Sequence, residues 1–444
     1  MKSVNCVLSH EHVALLCWSD LVGLLRCRGV PAWRLDDTYK TGMGWAAAGL
    51  ALTTFETPAR SPWGPMTEVR QIPIKSTETF VNIWADTTPL HLTLCEAVTQ
   101  SGEPWECCPR QILKKALQAL KDETGLSLLA AVEHEFTLSG QHLNDSTSFS
   151  VESMRNVEGF WRDLSRAFRS LDADIETLEP EAGLRQYEVS CRPRVGLESA
   201  DQAILIRELI RETARRRGYR ASFSPKPFDG KIGSGAHLHF SFTNSEGRNV
   251  TSGPDSATQL SPTAQSFCSG IIKHLPEIAV LFASSPISYK RLGAGNWSCG
   301  YASFGLQNRE AALRVCPPPK FANDPDLTSF NLEFRALDAA SNTYLALAAI
   351  IFAGLSGIRQ KLPPPLVTDG NPADLGNEHR ERLGIQPIPA NLSEALGRAL
   401  VSQLVQTSFG EMFTEVLKSV LSKEAELAAK LPQEDFFEHY LRAY

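Results

Sequence analysis

The chain has 444 residues, with 44 Lys and Arg against 50 Asp and Glu, and a net charge of −6. That length provides for two or three domains with a sizeable core, and the charge offers no basic footprint for nucleic acid. No apolar run reaches the length of a membrane span, the start of the chain lacks a signal-peptide pattern, and the ten cysteines lack C-x-x-C spacing, so they read as reduced thiols in a cytoplasmic protein.

In chain order, residues 1–105 are rich in strand and loop signals and read as one domain; residues 106–444 read as a second. The second opens on an amphipathic helix, CPRQILKKALQALKDETG at 108–125, with Pro near its start and Gly at its end. Strands and helices then alternate. Strands are expected at LLAAVEHEFTL, RQYEVSCRP, AHLHFSF and SFNLEFRALD; helices are expected at 151–172, 199–217, 262–283 and 342–359. KLPPPLVTDGNPADLG reads as a loop, and a helical tail begins near Leu392 and runs toward 430. The class is α+β.

Four of the strand-like runs carry polar side chains on alternate positions. In GSGAHLHFSF, His237, His239 and Ser241 share one face, opposite Leu238, Phe240 and Phe242. Glu133 and Glu135 share a face in AVEHEFTL, as do Gln186, Glu188 and Ser190 in RQYEVS, and Asn331, Glu333 and Arg335 in NLEFRALD; Glu181 precedes Glu188 by seven. One such face is more often solvated than functional. Four on one sheet would crowd glutamates whose mutual repulsion calls for a cation, and oxygen donors with a single imidazole suit Mg²⁺ or Mn²⁺ rather than zinc. His134 points to the apolar side and reads as a core histidine. His10-Glu11-His12 has no carboxylate partner nearby and reads as a surface feature. Arg291, Arg309, Arg314 and Arg335 fall in a short window, and guanidinium forks beside divalent metals are the equipment of phosphoryl transfer. No G-x-x-x-x-G-K-[ST] loop is present.

The ordered motifs EHEF, EAGLRQYE, GSGAHLHFSF, SYKRL, NREAALRV and NLEFRALDAASNTYLALAAIIFAGLSGI resemble the glutamine synthetase family from about residue 17 onward. The resemblance implies a β-grasp-like N-terminal domain and a catalytic domain with a curved antiparallel sheet flanked by helices. It also implies a homo-oligomeric stacked ring with sites between subunits, and chemistry in which ATP and glutamate form a γ-glutamyl phosphate that an amine displaces. By that match Glu135, Glu181 and Glu188 hold one metal and Glu133, His237 and Glu333 another, with two or three ions per site. His239, Ser241 and Arg314 match nucleotide-binding positions. Arg309 and Arg335 match catalytic arginines, and Arg291, Gly233 and Glu135 match the amino-acid side.

Four departures from the family pattern bear on the expected substrates. Trp297 stands in LGAGNWSCGY, where ammonia-using members place a flap glutamate; the alternative is a differently aligned flap, with Glu310 a candidate substitute base. TGMGWAAAG at 41–49 has no carboxylate where those members place an ammonium-binding aspartate. Ile232 replaces an asparagine that contacts glutamate, and Asn331 replaces an arginine that contacts nucleotide. Ammonium sheds a large hydration energy and needs fixed anions. The expected function is therefore an ATP-dependent ligase making γ-glutamyl amides of an organic amine, with Trp297 shielding the intermediate. The alternatives are a glutamine synthetase using ammonia and a catalytically silent ring serving as scaffold or sensor. Replacing Glu333 by Ala is expected to abolish turnover and leave the fold intact.

Overall fold

The computed structural model describes residues 12–84, 87–141, 143–171, 173–253, 255–293, 295, 298–319 and 327–444. The first 98 residues supply a sheet of β1 (Val13–Ser19), β2 (Leu25–Pro31), β3 (Met43–Ala46), β4 (Glu68–Pro73), β5 (Thr79–Val81) and β6 (Leu90–Val98). Its order is β2-β1-β6-β4-β3, with β5 also on β6; β1 and β6 run parallel and the other pairs antiparallel. His12 is not a surface residue. It is buried at the entry to β1, its Nε2 2.9 Å from Nδ1 of His91 on β6, because the parallel β1–β6 pairing brings the two together.

The second sheet is the frame of the site. It comprises β7 (Ser127–Ser139), β8 (Ile175–Pro180), β9 (Gln186–Cys191), β10 (Arg194–Val195), β11 (Arg220–Ser222), β12 (Ala236–Thr243), β14 (Phe304–Leu306), β15 (Leu313–Cys316) and β16 (Asn331–Phe334); β13 (Tyr301–Ala302) pairs separately with β17 (Gln386–Pro387). The order is β14-β15-β16-β12-β7-β9-β8, with β10 and β11 also pairing with β7, and the sheet curls into a half-barrel. Alternation decides its two faces. Leu128, Ala130, Val132, Phe136 and Leu138 of β7 and Leu238, Phe240 and Phe242 of β12 are all buried in one core. His134 lies on that face, its Nε2 2.9 Å from the Ala203 carbonyl, and is the expected core histidine.

Helices cover the apolar face. The expected ones form at Pro109–Thr124, Leu197–Arg216, Pro262–Phe282 and Thr343–Arg359, the first ending on Gly125 in the left-handed region (φ 71°). The last two cross closely because a Cβ on Gly357 would stand 2.1 Å from the Ser266 carbonyl oxygen. Other boundaries moved. The expected helix at 151–172 breaks at buried Val157 into Val151–Asn156 and Glu158–Phe168. The tail divides at Ser402 and Gly410 (φ 85°), and a further helix, Gln433–Ala443, follows it. The strand in SFNLEFRALD is confined to Asn331–Phe334.

Candidate active site

Strand register turns the four polar faces into one surface. Glu135 on β7 stands opposite Glu188 on β9, which stands opposite Glu179 on β8. Glu133 on β7 stands opposite His237 on β12. His239 on β12 stands opposite Glu333 on β16, which stands opposite Arg314 on β15. These rows line a cavity of about 630 Å³, together with Glu181, Gly233, Arg291, Arg309 and Arg335. Glu333 lies beneath it, 1% exposed. Ser241 shares the face of the two histidines but is buried and does not line the cavity. Trp297 lies outside the described residues, as do His10 and Glu11.

His237 is the hub. Its Nδ1 is 3.7 Å from both Glu133 Oε2 and Glu333 Oε1, and its Nε2 is 3.7 Å from Glu135 Oε1. His239 Nε2 is 3.3 Å from Glu133 Oε2, and its Nδ1 is 2.8 Å from Asn331 Oδ1. Glu333 pairs with the Arg314 and Arg335 guanidiniums at once. Arg291 ends the short helix Ser288–Arg291 and donates through Nη2 to the Arg335 carbonyl at 2.9 Å. Gly235 leaves room for this crowding: a Cβ there would sit 2.8 Å from both Arg291 Nη2 and His237 Nε2, and those two side-chain ends would have to shift.

Gln186 and Glu179 line the cavity without a role assigned from the sequence. Gln186 Nε2 donates to Glu135 Oε2 (2.8 Å) and the Gly233 carbonyl (2.9 Å), clamping the first strand of the site to the loop before β12. Its position on the Glu188 face was the available signal. Glu179 joins Glu181 and Glu188 in one carboxylate group. Its signal, the E-P-E spacing, was masked by a register shift between Ile175 and Thr177 that interrupts the alternation of β8.

The electrostatics divide the cavity. Burial opposes ionisation of Glu133, but the His237 and His239 imidazoles beside it outweigh that and hold the carboxyl well below its usual range. Burial likewise opposes ionisation of Glu333, yet His237, Arg335, His239 and Arg314 bring it down to about 2. On the other side burial, reinforced by Glu135, pushes Glu181 up to about 7. Burial and then Glu133, Glu135, Glu181 and Glu179 drive Glu188 up as well. Glu188 is 7% exposed, and its carboxylate accepts no hydrogen bond among the described residues. A buried acceptor-only group in that setting calls for a cation.

The donor set fits divalent metal. Ligand atoms of Glu133, His237 and Glu333 fall within 4.8 Å of one another, as do those of Glu135, Glu188 and His237, and of Glu179, Glu181 and Glu188. Carboxylate oxygens with one imidazole are hard donors suited to Mg²⁺ or Mn²⁺. The first group is the set expected from the sequence. In the second, His237 stands where Glu181 was expected, and Glu181 groups instead with Glu188 and Glu179.

Residues 106–440 match the family model described as glutamine synthetase, catalytic domain. The chain belongs to the glutamine synthetase family. It is a ligase of the glutamine synthetase type, in a family that uses ATP and divalent metals. It is 31% identical over 349 residues to a type-1 glutamine synthetase of Dictyostelium discoideum, covering 75% of this chain and 68% of that one. It is 28% identical over 431 residues to a γ-glutamylpolyamine synthetase of Streptomyces coelicolor, covering 93% and 90%. A crystal structure described as a novel glutamine synthase homolog superposes with a TM-score of 0.89 at 33% identity, covering 98% of this chain and 99% of that one. No helix among the described residues is long and apolar enough to cross a membrane.

Proposed function

We propose that this glutamine synthetase-family ligase joins the γ-carboxylate of glutamate to an organic amine, with ATP converted to ADP and phosphate. The observation that carries the reading is the apolar margin of the cavity: Phe149 and Ile232 line it and are 58% and 43% exposed. Exposed apolar side chains beside a charged site suit an amine with an organic body. The relative named a γ-glutamylpolyamine synthetase, matched along 93% of the chain, supports the same class.

In this reading Glu133, His237 and Glu333 would hold one cation, and Glu135, Glu188 and Glu181 another. Bound there, divalent cations supply charge neutralisation to the ATP phosphates and the acid. Arg291 holds the amino acid beside Gly233, and His239 serves the nucleotide, while Ser241 supports the strand from beneath. A γ-carboxylate oxygen attacks the terminal phosphorus of ATP and ADP leaves, while Arg309, Arg314 and Arg335 spread the phosphoryl charge. The amine nitrogen then attacks the acyl carbon, phosphate departs, and Glu310, which lines the cavity, takes the amine proton. Trp297 excludes water from the acyl phosphate. The division at residue 105/106 and a stacked homo-oligomeric ring belong to the same proposal.

Ammonia is the second reading, favoured by the 31% identity to a named glutamine synthetase and by one structural fact. The 41–49 segment contains no carboxylate, but β4 pairs with β3 and puts Glu68 opposite Ala46, its Oε2 3.9 Å from where a Gly44 Cβ would be. Phosphate release from ATP, Mg²⁺ and glutamate, measured with ammonia and with mono-, poly- and aromatic amines, separates the two. One amine class outpacing ammonia supports the proposal. Ammonia outpacing every amine overturns it in favour of glutamine synthesis, and no release with any amine overturns both.

A further inference from the structure

A second reactive centre lies in the N-terminal sheet. The antiparallel register of β1 and β2 places Cys17 directly opposite Cys27. Residues so opposed share a face with Cα atoms roughly 4.5–5.5 Å apart, inside the span of about 4.4–6.8 Å that a disulfide accepts. Cys17 is 3% exposed, on the inner strand; Cys27 is exposed, on the edge strand β2. Among the described residues the other cysteines are buried or, for Cys316, half-buried.

The register makes the two sulfurs neighbours, while the Cys17 thiol donates to the Leu15 carbonyl at 3.7 Å. The neighbouring Cys17 brings Cys27 down to about 7, against burial and the Glu208 charge on the helix Leu197–Arg216. The same proximity, with burial and the neighbouring Cys95 and Glu208, raises Cys17. Cys27 therefore has substantial thiolate character near neutral pH, at the surface, with a second sulfur behind it. Thiolate character, access and an adjacent resolving sulfur are the conditions for selective oxidation.

We propose that Cys27 is an oxidative modification site and that Cys17 resolves it, closing a cross-strand disulfide between β1 and β2. With a peroxide as oxidant, the Cys27 thiolate attacks one peroxide oxygen, the O–O bond breaks, and hydroxide leaves to be protonated as water. Cys27 becomes a sulfenic acid. The Cys17 sulfur then attacks the Cys27 sulfur, the S–O bond breaks, and the departing hydroxide takes the Cys17 proton. Two thiols and one hydrogen peroxide give one disulfide and two waters. The bond would bear on β3: Arg28, next to Cys27, lies 4.5 Å over the Trp45 ring and donates to the Gly44 carbonyl at 2.9 Å. Trp18, next to Cys17, packs edge-on against Trp45 with centroids 4.3 Å apart.

The test is independent of which amine the enzyme uses. Full-length reduced protein is treated with hydrogen peroxide, alkylated, and mapped by mass spectrometry without reduction. A Cys17–Cys27 linked peptide that a reductant reverses is expected. In Cys17→Ala the link disappears and dimedone traps a sulfenic acid at Cys27; in Cys27→Ser, Cys17 remains a thiol. The alkylation rate of Cys27 titrates near pH 7 in the parent and moves upward in Cys17→Ala. Oxidation of Cys27 no faster than that of Cys316, linkage of Cys27 to any other cysteine, or an unmoved alkylation profile overturns the proposal.

Discussion

Glu333 is the residue on which the cavity turns. Its carboxylate meets two guanidiniums and two imidazoles, at 1% exposure. Removing it leaves Arg314 and Arg335 as neighbouring cations without their shared anion, and breaking a buried pair costs about 3–5 kcal/mol. The expectation that Glu333→Ala spares the fold is therefore revised: turnover is lost and the urea midpoint falls with it. Glu333→Gln keeps the volume and separates the two effects. It should retain more stability than Glu333→Ala while phosphate release falls by about 100-fold or more, on the scale of losing a group that organises transition-state charge. Unchanged Mg²⁺ dependence in Glu333→Gln would refute the metal assignment. Gly235→Ala tests the crowding directly. Its Cβ collides with Arg291 and His237, so turnover should drop more steeply than thermal stability, and equal activity in the variant would refute the close approach.

At the scale of elements, the helix Thr343–Arg359 is anchored at its start by Asn342. That side chain accepts from the backbone N–H groups of Tyr344 and Leu345, while its Nδ2 donates to the Asp20 carbonyl at 2.9 Å. Asn342→Ala should cost about 1–2 kcal/mol from the cap, with the contact to the N-terminal sheet lost in addition. A loss well below that, read from chemical denaturation, would show that the cap is dispensable. The strands of the site were readable because polar and apolar residues alternate cleanly in β7, β9, β12 and β16. β8 was not, since its register shift breaks the period just before Glu179. β15 was not, since Ala311 and Ala312 run directly into Leu313 and hide the alternation of LRVC. Arg314 was thus identified as an arginine before it could be assigned to a strand.

At the scale of the molecule, acid stability has an identifiable source. His134 is 2% exposed, and burial, with Arg207 beside it, brings it down to about 3 from an unfolded value near 6.5. Between those limits the unfolded chain binds the extra proton, so the contribution is fully present above about 6.5 and is lost as pH falls toward 3. Stability should decline over that window, and His134→Gln, which keeps a donor for the Ala203 carbonyl, should flatten the decline. Identical pH slopes for parent and variant in urea titrations would contradict this. Glu424 ties distant parts of the chain on the same scale. It is 0% exposed and accepts from the Thr54 backbone at 2.8 Å and from the Tyr440 hydroxyl at 2.8 Å.

The sequence alone determined which side chains share a face. Alternation in a strand is local stereochemistry, so Glu133 with Glu135 and His237 with His239 follow from spacing. Which strands lie side by side is not local. β7 pairs with β9 on one edge and β12 on the other, β16 inserts between β12 and β15, and these choices decide that Glu133 meets His237 and that Glu333 meets Arg314. Those partners are set by burying the apolar face of every strand in one core, a condition no single segment carries. For the same reason His12 looked like a surface residue, and Glu68 came to stand beside a segment that has no acid of its own.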